Sequence, residues 1–258
     1  MPSPTDFNLS PYYDDFAETK KFHRILFRPA FAVQARELTQ SQTILQNQIE
    51  RVSDHLFEKG AMVIPGEIGY DLNYYSVKIT SFTDSQNVGV TLTDFVGLTL
   101  TGQTSGVKAI VVNTTATDGT DPNTLYVKYV DSGTDSSTDK FTATETISVS
   151  TTLQGQVTTV SAVVEDCFTG SAAYIGAGVY YINGFHVSVA EQTLILDKYS
   201  NTPSYRIGLQ VSESFVTPNA DPSLNDNAQG VSNTNAPGAH RFKIDLTLTK
   251  LSLASASD

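Results

Sequence analysis

The clearest structural signal in the chain is a run of alternating apolar residues broken by Asn-Gly: Gly178-Val-Tyr-Tyr-Ile182, Asn183-Gly184, Phe185-His-Val-Ser-Val189. Apolar side chains that recur with a period of two fit a strand with one buried face. Asn-Gly supplies the two positive-φ residues that a type I′ turn needs, so it joins two strands in a tight hairpin. The stretch therefore predicts antiparallel sheet.

The same alternation recurs on both sides of this hairpin. Short strands are predicted throughout 82–164, including 88–93 and its echo 96–101, and clusters of Gly, Asp, Asn and Ser separate them. Such spacing is typical of a small barrel or sandwich. Residues 217–239, with three prolines and many Asn, Asp and Ser, are predicted to form a long loop. We expect a mainly β fold, with an N-terminal extended arm and one long α-helix followed by antiparallel β-sandwich or barrel domains.

Composition excludes several classes of protein. The chain has 258 residues, a formal net charge of −11 and a pI near 4.7, which argues against a general nucleic-acid binder. No run approaches the roughly 18 apolar residues of a membrane span, and the first residues lack the basic start and apolar stretch of a signal peptide. The single Cys167 excludes an internal disulfide and a cysteine-rich metal site. We expect neither nucleic acid nor membrane insertion.

Residues 1–31 are predicted to form an extended arm, because four prolines oppose regular structure there. The arm carries seven aromatic side chains, which with Arg28 are its candidate partner-binding residues: Phe7, Tyr12, Tyr13, Phe16, Phe22, Phe27 and Phe31. An extended segment cannot bury seven rings within itself, and burying one large apolar side chain is worth about 1.5–3 kcal/mol. The rings therefore pack on the rest of the chain as a brace, or on another chain as a docking arm.

Residues 32–60 are predicted to form one α-helix, with no internal Gly or Pro and with Gly60 as its C-terminal stop. Apolar residues recur every seven positions in two adjoining rows, here called the helix stripe: Leu38, Leu45 and Val52, then Ile49 and Leu56. The stripe is narrow and is bordered by Ser41, Gln48 and His55. Such a stripe suits an oligomerisation seam, which could surround a symmetry axis. The alternative is an amphipathic helix on a β core. With Gln48, these residues complete the candidate partner-binding set.

The remainder of the chain, residues 61–258, is predicted to be β. Residues 1–60 carry a net charge of −1 and the rest −10, so the arm and helix present a different surface from the β body.

No motif indicates catalytic, cofactor-binding or metal-binding residues. The four histidines are far apart, and no G-x-S-x-G elbow or phosphate-binding loop is present. Asp14 and Asp15 are interpreted as surface charges and Cys167 as a small buried residue. We expect no enzyme activity, no cofactor and no metal.

Several stretches are similar to tail and baseplate structural proteins of cyanobacterial myophages. The resemblance covers residues 5–80 and 167–250, and it is carried by the segments 8–16, 21–29, 33–40, 43–51, 179–185, 199–205 and 221–239. The resemblance implies a main β domain, 61–81 plus 166–258, interrupted by an inserted small β-barrel-like domain, 82–165, which varies in that family. Its members usually continue past the position of Thr249.

The resemblance implies a virion structural protein with no established chemistry. We therefore expect a component of a phage tail baseplate or proximal tail fibre, assembled in the host cytoplasm and anchored through its arm and helix to other tail proteins. We expect a homo-oligomer, with a trimer favoured. The alternatives are a host-surface glycan-binding adhesin module, using loops near Asn183 and in 217–239, and a polysaccharide-degrading tail enzyme.

Overall fold

The computed structural model describes residues 5–228 and 230–254. Within these ranges the chain forms one α-helix, α1 (Ala35–Leu56), and three 3-10 turns at Glu18–Lys20, Leu92–Phe95 and Pro222–Leu224. The strands are β1 (Met62–Ile64), β2 (Ile68–Asp84), β3 (Thr99–Gly102), β4 (Lys108–Thr115), β5 (Asn123–Asp131), β6 (Thr146–Leu153), β7 (Gln156–Ile175), β8 (Gly178–Ile182), β9 (Phe185–Val189), β10 (Gln192–Asp197), β11 (Tyr205–Val216), β12 (Asn225–Asp226), β13 (Asn233–Pro237) and β14 (Arg241–Ser252). The predicted fold class, mainly β with an arm and one helix ahead of antiparallel sheets, is confirmed.

The chain forms two compact units. The first unit comprises Met1–Ile68, Ile175–Gln192 and Gly208–Thr249, and the second comprises Gly69–Tyr174, Thr193–Ile207 and Lys250–Asp258. The predicted domain limits at 82 and 165 fall inside β2 and β7. Those two strands run without a break for 17 and 20 residues, so no boundary interrupts them there.

The first unit holds the arm, α1 and a three-stranded antiparallel sheet ordered β1-β8-β9. The predicted hairpin is confirmed: β8 and β9 pair from Gly178↔Val189 to Ile182↔Phe185, and Asn183 and Gly184 both have positive φ. The range 217–239 is not one long loop, because β12 and β13 pair within it.

The second unit contains a closed sheet. Its strands β7-β2-β5-β4-β3-β6 lie side by side, and β6 pairs again with β7, which closes the ring into a small barrel. Alternate side chains point inward, so the interior fills with apolar residues. The core residues are Val77, Ile79, Phe95, Leu100, Val107, Ala109, Val111, Leu125, Val127, Phe141, Ile147, Val160, Ala162 and Val164.

The segment 88–93, predicted as a strand, is a loop followed by a 3-10 turn. The Asp84 carboxylate accepts hydrogen bonds from the backbone N–H groups of Gln86, Val88, Gly89 and Val90. Those donors are therefore satisfied without a neighbouring strand, and the backbone curls around the carboxylate.

The helix is shorter than the predicted 32–60. It starts at Ala35, where the side chains of Gln34 and Glu37 cap each other's backbone N–H groups. It ends at Leu56 because Phe57 turns extended and packs against His186 and Tyr181, at ring-centroid distances of 6.1 and 6.2 Å. Gly60, predicted as the helix stop, lies in the turn beyond.

Among the described residues, no helix combines the length and the apolar character that crossing a bilayer would require.

Candidate functional site

The polar side of α1 attaches the helix to the β8–β9 hairpin. The Gln46 amide donates to the backbone oxygen of Gly184 over 2.6 Å, and the Tyr181 hydroxyl donates to Asp54 Oδ1 over 2.6 Å. Ser53, on the same side, is buried. The helix therefore meets its own chain through hydrogen bonds more than through apolar packing.

Burial beside the hairpin also changes the acidity of Glu50. Its side chain lies close to Gly184, and a methyl group on Gly184 would come within 3.0 Å of the Glu50 carboxyl carbon. Burial is the main reason that the pKa of Glu50 is raised, and the charge of Asp54 adds to it. Raising the pKa means that the folded chain disfavours the ionised carboxylate.

Two carboxylates of the arm attach it to a neighbouring side of α1. Asp14 is buried and accepts a hydrogen bond from the hydroxyl of Thr43, and Asp15 accepts one from the amide of Gln40. The interpretation of Asp14 as a surface charge is therefore wrong, because its carboxylate is used to dock the arm. Arg51 and Glu18 make a further ion pair between helix and arm.

The first rings of the arm pack on the same chain. Phe7 stands edge-on to Phe242 and Phe215, at centroid distances of 5.0 and 6.0 Å. Tyr12 lies 5.1 Å from Phe215, and its hydroxyl is 2.7 Å from Nδ1 of His240. Together with the half-buried Phe16, these rings form the intrachain brace that the sequence left open as an alternative.

The remaining predicted rings of the arm are exposed: Tyr13 by 59%, Phe22 by 64%, Phe27 by 51% and Phe31 by 61%. We call these four the exposed arm rings. The Arg28 guanidinium stacks 4.0 Å from the centre of the Phe31 ring, which holds both side chains at the surface. The arm therefore has rings of two kinds: those that brace it against its own chain, and the four that its own chain leaves exposed.

The helix stripe faces away from the chain to which α1 is attached. Its five side chains are all about half exposed or more: Leu38 55%, Leu45 65%, Ile49 49%, Val52 63% and Leu56 67%. Gln48, on the flank, is also exposed. Ile44 is the apolar side chain of α1 that its own chain buries. The alternative in which the stripe packs on a β core of the same chain is therefore absent from the structure.

Sequence reasoning missed three residues of this surface. Gln42 is exposed and fills the gap between Leu38 and Leu45, so the face reads 38, 42, 45, 49, 52, 56 with strictly alternating steps of four and three. Leu26, in the arm, is 75% exposed, and Val33, between the arm and α1, is 52% exposed. The four–three spacing was available from the sequence, whereas the exposure of Leu26 and Val33 was not.

The arm and α1 lie within a region that matches a known protein family. A family model described as Domain of unknown function (DUF4815) matches residues 10–159 and 144–257. The chain belongs to this family. No curated protein and no solved structure matches the chain. The DUF4815 match includes all of α1 and the arm from residue 10.

Of the two loops named for glycan binding, the one at Asn183 is packed against its own chain. Asn183 is only 6% exposed and its amide donates to Glu213 over 3.1 Å, so the hairpin turn is a packed element of this DUF4815 chain. The expectation of an exposed binding loop at Asn183 is therefore wrong. The loop was assigned from its composition alone, which carries no information on what covers it.

Side chains that could ligate a metal are scattered over the described part of the chain. Across 5–228 and 230–254, no three His, Cys, Asp or Glu side chains are grouped so that they could hold a metal ion. His186 contacts the rings of Phe57 and Tyr181, and His240 contacts Tyr12. Cys167 is half-buried, and burial is the main reason that its pKa is raised to about 11, which keeps the thiol protonated.

Proposed function

We propose that this chain is a structural subunit of a phage tail, in the baseplate or proximal tail fibre, which assembles as a homotrimer through the helix stripe and docks on other tail proteins through the exposed arm rings. The observation that carries the proposal is the exposed apolar face of α1 with its four–three spacing. The similarity of residues 5–80 and 167–250 to cyanophage tail proteins supports the setting.

The stripe is too apolar to remain in water without a large free-energy cost. Burying one such side chain completely is worth about 1.5–3 kcal/mol, so five side chains that are half exposed leave several kcal/mol per helix to be gained on association. A soluble chain that keeps so much apolar surface in one row is typical of an interaction site.

A second and third copy of the same helix fit the stripe better than an unrelated surface does. In heptad terms Leu38, Leu45 and Val52 occupy the d positions, and Gln42, Ile49 and Leu56 the a positions. The stripe is flanked by Ser41, Gln48 and His55, so close approach brings no like fixed charges together.

Gln42 sets the orientation of the helices. In parallel, in-register helices the Gln42 amides meet in one layer and hydrogen-bond to each other, whereas antiparallel helices would bury each amide against apolar side chains. Of the apolar layers, Val52 at d with Leu56 at a resembles the arrangement of three- and four-stranded coiled coils, and Leu45 at d with Ile49 at a is the two-stranded arrangement. The Gln42 layer favours parallel helices, and the trimer is the oligomer that we propose and test by mass.

The mass of the chain in solution tests the assembly. Sedimentation equilibrium of the wild type should give three times the 27.9 kDa chain mass, and Leu45→Asp and Ile49→Asp should give the single-chain mass with unchanged circular dichroism. The matched control is Val157→Asp, an apolar residue in β7 that is 73% exposed and should leave the trimer intact. A wild type that is monomeric at all accessible concentrations overturns the proposal.

The location of the chain tests the setting. An antibody against the chain should decorate the tail end of virus particles released from cells that express its gene, in negative-stain electron micrographs. Particles that carry no label, while the chain stays in the soluble fraction of the cells, overturn the tail assignment. Substituting Phe22, Phe27 and Phe31 together by Ser should remove the label and leave the trimer mass unchanged.

A further inference from the structure

Two rows of side chains in the second unit line a groove of about 350 Å³. One row is Tyr70 and Leu72 of β2, and the other is Tyr205 and Ile207 of β11. In each strand the two residues are two positions apart, so both point to the same face. Each wall of the groove therefore presents a tyrosine followed by an aliphatic side chain.

The base and the rim of the groove differ in polarity. Leu196 lines the base and is 2% exposed. Asn201, Thr202 and Pro203 line the rim, and the amide of Asn201 and the hydroxyl of Thr202 belong to exposed residues. A site with an apolar base and a few polar groups at its edge has the general character of a small-molecule site, for which roughly 300–1,000 Å³ is usual.

One of the two tyrosines is held in place. The Tyr205 hydroxyl donates to Asp197 Oδ1 over 2.9 Å, and Lys250 Nζ lies 4.8 Å from the centre of the ring. Lys250 also donates to the backbone oxygens of Ile195 and Leu196. Its charge is therefore engaged at the protein surface, and the Tyr205 ring is a fixed wall.

The charge of the lining decides the class of ligand. None of the eight side chains that line the groove is charged, and the chain as a whole carries −11. An anionic ligand would find no cation in the lining and would be repelled by the rest of the chain. A cationic ligand would find no carboxylate in the lining, and the nearby Asp197 already accepts a hydrogen bond from Tyr205.

We propose that this groove binds a neutral oligosaccharide, laid between the tyrosine–aliphatic rows. A sugar ring presents C–H groups on its face and hydroxyls at its rim, so the face packs on a tyrosine ring while the hydroxyls reach Asn201, Thr202 and water. The groove is open to solvent, and its volume of about 350 Å³ leaves room for linked sugars. This site is separate from the helix stripe, so its failure would leave the assembly proposal intact.

Titration calorimetry with defined oligosaccharides tests the site on the full chain. The probes are maltohexaose, cellohexaose and mannohexaose, with hexagalacturonate as the charged counterpart and a proline-rich decapeptide as the peptide counterpart. At least one neutral hexasaccharide should bind saturably, and Tyr70→Ala should weaken it by at least about tenfold. Tyr70 is 71% exposed, so its truncation opens no core. Asn201→Ala should weaken the same probe by a smaller factor.

Tyr13→Ala is the matched control, because Tyr13 is 59% exposed and lies in the arm, and this change should leave binding unaltered. The proposal is overturned if no neutral hexasaccharide binds at millimolar concentration. It is also overturned if hexagalacturonate or the decapeptide binds more tightly than every neutral probe, or if Tyr70→Ala and Tyr13→Ala have equal effects.

Discussion

Tyr181 donates a hydrogen bond from its hydroxyl to Oδ1 of Asp54 over 2.6 Å, and this bond joins the β8–β9 hairpin to the polar side of α1. The same hydroxyl lies 3.3 Å from the backbone oxygen of Glu50. Because the polar side of the helix is engaged in this way, the helix stripe is left facing outward. The orientation of the proposed seam therefore depends on a polar contact on the opposite side of α1.

Adjacent tyrosines make this contact measurable. Tyr181→Phe removes a hydrogen bond to a carboxylate, and because Asp54 is partly open to water we expect a loss of about 1–2 kcal/mol in the free energy of unfolding. Tyr180→Phe is the control: in the described part of the chain its buried hydroxyl has no hydrogen-bond partner, so its removal should be neutral or slightly stabilising. Urea denaturation at one protein concentration measures both. Equal losses would show that the Asp54 contact contributes nothing.

Glu50 should make stability depend on pH. Its pKa is raised in the folded chain, chiefly by burial and then by Asp54, above the unfolded value of roughly 4.3. The folded chain therefore binds the proton of Glu50 more tightly than the unfolded chain does. The fold becomes more stable as the pH falls from the folded pKa to the unfolded pKa of this group. Above the folded pKa, the ionised carboxylate destabilises the fold by the full amount.

The substitution Glu50→Gln removes that penalty. We expect the variant to melt at a higher temperature than the wild type at pH 7 and to lose the advantage below about pH 4, where the wild-type carboxyl is protonated in both states. Glu58→Gln, at an exposed position, controls for removal of a negative charge as such. An advantage that grows as the pH is lowered would contradict the burial of Glu50.

The two parts of the arm should respond differently to truncation of a ring. Phe7→Ala removes contacts with Phe215 and Phe242, and we expect about 1–2 kcal/mol less stability and faster chymotryptic cleavage within residues 12–31. Phe22→Ala, which alters a ring that is 64% exposed, should change neither stability nor cleavage rate. Mass spectrometry measures the rate of cleavage. Equal cleavage rates for the Phe7→Ala and Phe22→Ala variants would show that the brace does not hold the arm.

Local sequence signals specified some parts of this fold and left others open. Asn183-Gly184 needs positive φ at two positions and therefore fixes the hairpin without help from the rest of the chain. The seven-residue spacing on α1 likewise predicts one apolar face. Neither signal reports what lies opposite, so the brace formed by Phe7 and the burial of Asp14 followed only from the three-dimensional structure.

Contacts distant in sequence account for the remaining differences. The helix ends at Leu56 because Phe57 finds aromatic partners more than a hundred residues away, and no local pattern encodes that. The limits of the inserted domain, 82 and 165, followed from the family resemblance, whereas β2 and β7 continue through those positions as strands of the barrel. Glu145 is a further case. No motif around it in the sequence indicates a buried carboxylate, yet the residue is only 4% exposed.

The buried carboxylate of Glu145 fastens two loops of the barrel. It accepts hydrogen bonds from the backbone N–H of Thr104, Ser105 and Thr142, over 3.2, 3.0 and 2.6 Å, and from the Ser105 hydroxyl. A Glu145→Ala substitution would leave these donors without their acceptor, so we expect a loss of roughly 2–4 kcal/mol in the free energy of unfolding.

The matched control for Glu145→Ala is Asp131→Ala in the same barrel. Asp131 is exposed, and its Oδ2 lies 3.1 Å from Nζ of Lys108 in a surface ion pair. Exposed ion pairs contribute little, so this change should cost less than about 1 kcal/mol. Thermal and urea unfolding should separate the two variants clearly, with Glu145→Gln falling between them because its amide oxygen still accepts. A Glu145→Ala variant as stable as Asp131→Ala would mean that water or a shifted loop replaces the carboxylate, and that the 102–106 and 142–145 loops do not need it to close the barrel.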